Sequence, residues 1–112
     1  MAVAQRDEIP PGTLYMLILK TLARGGEMHG YEIANSIQRI SDEILQVEEG
    51  SLYPALQRML IKAWVTAEWG VTAGNRRARY YRLTAAGQKQ LHSELEQYQR
   101  VTGAIQKIIQ TA

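Results

Sequence analysis

Apolar residues recur at helical spacing between residues 49 and 60. Successive residues on a helix lie about 100° apart, so Leu52, Leu56 and Met59 fall on one stripe. The pattern predicts a helix with one face in a core and the other face free to enter a groove. An ordinary amphipathic helix would show the same spacing, so this stretch alone leaves both interpretations open. The outer face is small, polar and basic, and it consists of Ser51, Pro54, Gln57, Arg58 and Ile61, with Tyr53 at its border.

The start of this helix carries its own signals. Gly50 permits a sharp entry, and Ser51 is expected to cap the first free N–H groups. Pro54 is expected in the first turn, where its missing N–H donor costs little.

Two further helices are predicted before it. Residues 14–24 are apolar nearly all round, which predicts cover on more than one side. In a small domain that second cover often comes from another chain. A shorter helix begins near His29 and runs to about Ile40, and residues 41–43 form a turn. The series of helix, short helix, turn and helix is a helix-turn-helix pattern with a long turn.

After the third helix the apolar period changes to two. Val65, Ala67 and Trp69 share one face of a predicted strand, residues 70–75 form a loop, and residues 76–83 form a second strand. A hairpin directly after a helix-turn-helix is a wing. A solvated arginine-rich hairpin is the alternative, but the neighbouring helices favour contact with DNA phosphates. The tip of the wing carries Arg76, Arg77 and Arg79.

A long last helix is predicted from Thr84 to about Gln110. Its apolar positions step by 4, 3, 4, 3 and 4 residues, which is a heptad seam. One domain of this size cannot bury the whole stripe, although its Leu91 end could fold back on the chain's own core. We therefore expect the helix to pair with a copy of itself or with the apolar first helix of a partner. The expected dimerisation residues are Leu14, Leu17, Ile18, Leu91, Leu95, Tyr98, Thr102, Ile105 and Ile109.

Length and charge narrow the classes of partner. A chain of 112 residues is long enough for one domain with a core. The net charge is only +2, but residues 1–50 hold four basic and eight acidic residues, whereas residues 51–82 hold six basic residues and one acidic residue. The basic block is expected to face a polyanion. A membrane surface would fit the charge, but no basic amphipathic helix with an aromatic face supports it.

Four sequence segments resemble the PadR-like family of bacterial transcriptional regulators. They occur in the family's order and cover roughly residues 12–88; the third and the fourth are together specific. The segments are Gly12-Thr13-Leu14 with the following Leu-Ile-Leu run, His29-Gly30-Tyr31-Glu32-Ile33, Gly50-Ser51-Leu52-Tyr53-Pro54-Ala55-Leu56, and Tyr80-Tyr81-Arg82-Leu83-Thr84-Ala85-Ala86-Gly87.

The resemblance implies a winged helix-turn-helix homodimer, usually a repressor, that a small molecule or another signal releases from its operator. The short tail resembles the subfamily whose dimerisation region is a single helix. Two departures stand out. Ala63 occupies the position of the family's turn glycine, so a tighter or shifted turn is expected there. Some relatives bind planar aromatic effectors with a tryptophan on the last helix, and this last helix has none.

The predicted fold is mainly α with a minor β component: a winged helix-turn-helix with a two-stranded wing and a long C-terminal dimerisation helix. Residues 1–11 are expected to be a flexible lead, 12–83 the DNA-binding domain, and 84–112 the dimerisation helix.

The functional hypothesis is sequence-specific binding of double-stranded DNA. Gln57 and Arg58 are expected to read bases, because an amide suits adenine and a guanidinium suits guanine. A palindromic operator is expected, with half-sites about 10–10.5 base pairs apart. The alternative is a winged helix used only for protein contacts. The predicted DNA-binding residues are Ser51, Tyr53, Pro54, Gln57, Arg58, Lys62, Arg76, Arg77 and Arg79.

Other chemistry is not expected. The sequence shows no Ser/His/Asp set, phosphate loop or metal cluster, so an enzyme and a cofactor are both unexpected. His29 is interpreted as a helix cap or surface group, since no second ligand lies at metal spacing. The absence of cysteine agrees with a reducing cytoplasm, and neither a signal peptide nor a membrane span is predicted.

Overall fold

The computed structural model describes residues 7–112 and contains four helices and five strands within them. The elements are β1 (Asp7–Glu8), α1 (Leu14–Gly25), β2 (Met28–His29), α2 (Gly30–Ile40), β3 (Leu45–Gln46), α3 (Glu49–Ile61), β4 (Val65–Val71), β5 (Arg77–Leu83) and α4 (Ala85–Gln110). The predicted winged helix-turn-helix is confirmed: α2 and α3 form the helix-turn-helix, β4 and β5 form the wing, and α4 follows.

The core lies where α1, α2 and α3 meet the base of the wing. The predicted stripe of α3 is confirmed, because Leu52, Leu56 and Met59 are all buried. They pack in one cluster with apolar residues of the two preceding helices, including Ile18 and Ile33. Burial of these side chains stabilises the fold by roughly 1.5–3 kcal/mol each.

The start of α3 differs from the prediction. Glu48 is the N-terminal cap residue, and its carbonyl accepts hydrogen bonds from the N–H groups of Ser51 and Leu52. Ser51 therefore lies inside the helix and does not cap it. Pro54 is the sixth helical residue, beyond the first turn, and its missing donor leaves only the carbonyl of Gly50 without its usual partner.

The β structure is more extensive than predicted. The wing strands pair antiparallel from Val65–Leu83 to Val71–Arg77, so the first strand continues two residues into the expected loop. Residues Met28–His29 add a third strand on the far side of β5. A two-residue strand gives no detectable period in the sequence, so the pattern of apolar positions does not predict it.

The N-terminal lead is partly fixed in the structure. Residues 1–6 of the expected flexible lead lie outside the described residues. Asp7 and Glu8 pair in parallel with Leu45 and Gln46, and Ile9 packs against the core. Residues 7 and 8 thus pair with the segment just before α3, and Ile9 contacts the core.

Ala63 adopts a φ of 61°, the left-handed region that glycine favours. The turn is fixed from both sides: the N–H of Trp64 bonds to the carbonyl of Met59, and the Thr84 hydroxyl donates to the Ala63 carbonyl at 2.6 Å. The end of α3 and the start of α4 thus meet at residues 63–64.

The last helix begins and ends close to its predicted limits. The Thr84 hydroxyl accepts a hydrogen bond from the N–H of Gly87 and so caps α4. A side chain at Gly87 would drive its Cβ into the Trp64 carbonyl, so only glycine permits this close approach of α4 to the wing. Among residues 7–112, no helix is both long and apolar enough to span a membrane.

Candidate nucleic-acid interface

The outward face of α3 forms a narrow ridge. Gly50, Pro54, Gln57 and Ile61 recur every three or four residues, and all four are exposed. Ile61 is 76% exposed, although it is one of the most apolar residues of the helix. The ridge therefore presents a proline ring, an amide and a branched aliphatic side chain along one line.

One flank of α3 is held against the first helix. The Arg58 Nε donates to the Tyr15 hydroxyl at 2.5 Å, and the guanidinium lies 5.8 Å from the Tyr15 ring centroid. Tyr15 in turn packs edge-to-face on Trp64, whose ring also lies 5.2 Å from the Lys62 ammonium. These contacts place Arg58 against α1 and Lys62 against Trp64, whereas Gln57 lies on the ridge.

Ser51 lies on the same flank, nearer the helix start. It lines a small cavity of about 220 Å³ between α3 and residues 8–12. Its side chain is exposed and free of any helix-capping bond.

The other flank faces the wing across a cleft of about 820 Å³. Tyr53 and Gln57 line its α3 wall, and Arg76, Arg77 and Arg79 line its wing wall. Five of the nine predicted DNA-binding residues therefore meet in one cleft. The cleft also contains residues that the sequence did not assign to binding: His29, Gly30, Tyr31, Trp69, Thr72, Ala78 and Tyr81.

Trp69 contacts two arginines of the wing. The Arg77 guanidinium lies 4.4 Å from the Trp69 ring centroid, and that of Arg79 lies 5.8 Å away. The Arg79 Nε is buried and has no hydrogen-bond partner among residues 7–112. A buried, unpartnered guanidinium N–H is unfavourable, so burial of this atom against the Trp69 face of the wing has a free-energy cost. Trp69 pairs with Arg79 across the two strands, and this register brings the indole ring to the arginines.

The start of α2 closes one end of the cleft. His29 is its cap: its Nδ1 accepts from the N–H of Glu32, and the Glu32 carboxylate accepts from the N–H of His29. This confirms the interpretation of His29 as a cap. A Cβ at Gly30 would lie 2.8 Å from the Tyr53 ring, so glycine here allows α2 to approach α3 closely.

The cleft is lined by three arginines and by Tyr81. Burial raises the pKa of the Tyr81 hydroxyl above its ordinary value, and the effect of the neighbouring Arg79 in lowering it is smaller. Tyr81 is therefore neutral near pH 7 and does not offset the arginines. Arg82 differs from them, because its guanidinium pairs with the Glu27 carboxylate at 3.0 Å.

The residues predicted for dimerisation fall into three groups in the single chain. Ile18 and Leu91 are buried in the chain's own core, and Leu14, Leu17, Leu95 and Thr102 are half-buried. The remaining three lie on the distal part of α4 and are exposed: Tyr98, Ile105 and Ile109. The structure thus leaves the far end of the seam uncovered.

Comparisons with known proteins agree with this architecture. A transcriptional regulator from Clostridium thermocellum is 28% identical, with a TM-score of 0.80 over 88% of this chain and 95% of that chain. A PadR-like regulator from Bacillus cereus is 25% identical, with a TM-score of 0.75 over 90% and 95% of the two chains. Bacillus subtilis PadR, solved in complex with operator DNA, is 26% identical, with a TM-score of 0.66 over 77% of this chain and 48% of that chain.

The family assignment follows from the sequence as well as the fold. The model of the transcriptional regulator PadR-like family matches residues 18–93, which include all four helices in whole or in part and both strands of the wing. This chain belongs to the PadR-like family of transcriptional regulators.

Proposed function

We propose that this protein is a sequence-specific DNA-binding repressor that acts as a homodimer in the cytoplasm. The observation that supports this most strongly is the cleft between α3 and the wing. On one side it has the exposed edge of a helix that fits the major groove, and on the other side it has three arginines. Bacillus subtilis PadR, which has the same fold, was solved in complex with operator DNA.

In this proposal the cleft receives the phosphodiester backbone that borders the major groove. The ridge of α3 enters the groove, and the wing lies on the outer side of the same strand. Arg77 and Arg79, which both lie by the Trp69 ring, donate to phosphate oxygens. Tyr53 lines the opposite wall of the cleft and contributes its hydroxyl.

The exposed end of α4 supports a homodimer. Tyr98, Ile105 and Ile109 continue the heptad seam beyond the point where the chain's own core covers it. A second copy supplies the same stripe, so the contact would be isologous and two-fold symmetric. Such a dimer presents two α3 ridges, which requires a palindromic site with half-sites about 10–10.5 base pairs apart or a multiple of that spacing.

Repression follows if the operator overlaps a promoter, because the bound dimer then excludes the polymerase. A small-molecule effector that changes the α4 pairing would alter the distance between the two ridges and release the DNA. Repression is tested by a reporter placed behind the protein's own upstream region. Expression should rise when the protein is removed.

The binding surface is tested by a double substitution in the wing. Arg77→Ala with Arg79→Ala should weaken binding to all duplexes alike, because phosphate contacts carry no sequence information. The slope of log affinity against log salt should flatten by about 0.9 for each phosphate that the variant no longer neutralises. Fluorescence anisotropy with labelled duplex at several salt concentrations measures both quantities.

Arg82→Ala is the matched control. It removes an arginine from the same strand, but its side chain points to the opposite face of the sheet and is paired with Glu27. Its salt slope should remain that of the unmodified protein. Equal affinity and slope in the wing variant would show that the wing does not bind the phosphates. Failure of the unmodified protein to bind any genomic fragment in a gel shift would favour a winged helix used only for protein contacts.

A further inference from the structure

The ridge of α3 carries an amide and an exposed isoleucine one helical turn apart. Gln57 and Ile61 are four residues apart on the same face, so their Cβ atoms lie about 5–6 Å from each other. Single exposed apolar side chains are common on protein surfaces. Ile61 differs from that case because it occupies the line of α3 that points directly away from the core, beside Gln57 and Pro54.

Base pairs differ in what they present to such a ridge. In the major groove, adenine offers an acceptor and a donor that suit an amide, and thymine alone offers a methyl group that suits an apolar side chain. One helical turn advances about 5.4 Å, and neighbouring base pairs lie about 3.4 Å apart. Two side chains one turn apart therefore reach the same base pair or the next one.

The other expected base reader is engaged elsewhere. Arg58 donates its Nε to the Tyr15 hydroxyl, and its guanidinium lies by the Tyr15 ring on the α1 flank of the helix. That hydrogen bond removes one of the donors with which a guanidinium reads guanine. Gln57 is then the polar side chain at the centre of the ridge.

We propose that Gln57 and Ile61 read adjacent A·T pairs in each half-site. Gln57 forms hydrogen bonds with an adenine edge, and Ile61 packs against the methyl group of a thymine. This inference rests on the proposed DNA binding and adds its sequence content: each half-site contains A·T pairs that face the C-terminal half of α3.

The test uses selection from a library of random-sequence duplexes, prepared once with thymine and once with uracil, which lacks the methyl group. With the thymine library, the unmodified protein should recover half-sites that share A·T pairs. Replacing the contacted thymine of the best recovered duplex by uracil should weaken binding about fourfold per half-site, the effect of one buried methyl group. Ile61→Ala should weaken binding to the thymine duplex by a similar or larger factor and should show no further loss with uracil.

Gln57→Ala provides the second arm. It should reduce the preference for adenine over guanine at its position on the order of tenfold, while the preference for thymine over uracil remains. Ile40→Ala is the matched control, because Ile40 is an exposed isoleucine at the end of α2, outside the ridge and the cleft. It should leave both preferences unchanged. Circular dichroism of each variant verifies that it is folded.

The outcomes separate this inference from the proposed function. If no duplex is recovered from either library, DNA binding itself fails. If duplexes are recovered but uracil binds as well as thymine at every position, Ile61 does not contact a methyl group and the inference is overturned. Additive losses from Ile61→Ala and from uracil would also overturn it, because they would show that the two changes affect separate contacts.

Discussion

The helices α3 and α4 have similar patterns but different environments. Each has an apolar stripe at helical spacing. In α3 the stripe is completely buried in the chain's own core. In α4 the stripe is buried at Leu91 and half-buried at Leu95, but Ile105 is 50% exposed and Ile109 is 68% exposed.

The difference shows that an apolar stripe specifies that a face is covered, but not by which chain. The stripe of α3 is enclosed because α1, α2 and β4 surround it. Residues 103–110 of α4 are all exposed, so the described chain does not cover the far end of this helix. We infer that the first stripe contributes to folding and that the second is available for association.

The largest expected effect is at the centre of the buried stripe. Leu56→Ala should lower the free energy of unfolding by about 2–5 kcal/mol, because it leaves a cavity in a packed core. Urea denaturation followed by circular dichroism measures the change. Ile61→Ala on the opposite face of the same helix is the control, and it should change the free energy by less than about 0.5 kcal/mol. Similar losses in both variants would remove the distinction between the two faces of α3.

A substitution in the exposed stripe of α4 should weaken dimerisation and leave the stability of the fold unchanged. Ile105→Lys should raise the dissociation constant of the dimer by about tenfold or more, because a charge replaces an isoleucine in the proposed seam. Sedimentation velocity over a range of concentrations measures this constant. Gln97→Lys places the same charge on α4 outside the heptad seam and should leave the dimer intact. An unchanged dimer in the Ile105 variant would place the interface elsewhere.

The smallest effect concerns the junction where the two helices meet. Ala63→Gly should raise the free energy of unfolding by about 1 kcal/mol, because glycine adopts the observed positive φ without the penalty of a Cβ. Ala23→Gly is the control, since Ala23 is exposed within α1 and glycine should lower the stability there by about 0.5–1 kcal/mol. A thermal melt of both variants should show opposite shifts. A loss of stability on Ala63→Gly would mean that the left-handed turn is not strained.

Much of the architecture could be predicted from the spacing of apolar residues and from where along the chain that spacing changes. Spacing of three and four residues indicates the helices, and the change to a period of two after α3 indicates the wing. Burial of Leu52, Leu56 and Met59 could be predicted without tertiary information, because these large apolar residues share one face of the helix. The prediction for the start of α3 is wrong. Ser51 has a side chain of a type that often caps helices, but the helix starts earlier, where the Glu48 carbonyl accepts from the N–H groups of Ser51 and Leu52.

The candidate site was only partly visible in the sequence. The arginines of the wing could be identified from charge alone. The joining of Tyr53 and Gln57 to those arginines in one cleft depends on how α3 lies against the sheet. The position of Arg58 beside Tyr15 depends on a contact between residues 43 positions apart, which no local pattern contains.

By itself, the sequence determined which residues are apolar, which are charged and at what period they recur, and those features define the helices and the wing. Only the tertiary structure decided that Trp69 contacts two wing arginines, that Arg58 lies beside α1, and that Gly87 must lack a side chain. The physical reason is that local periodicity fixes which face of an element turns inward. The neighbours that this face meets are fixed by contacts between segments that are distant along the chain.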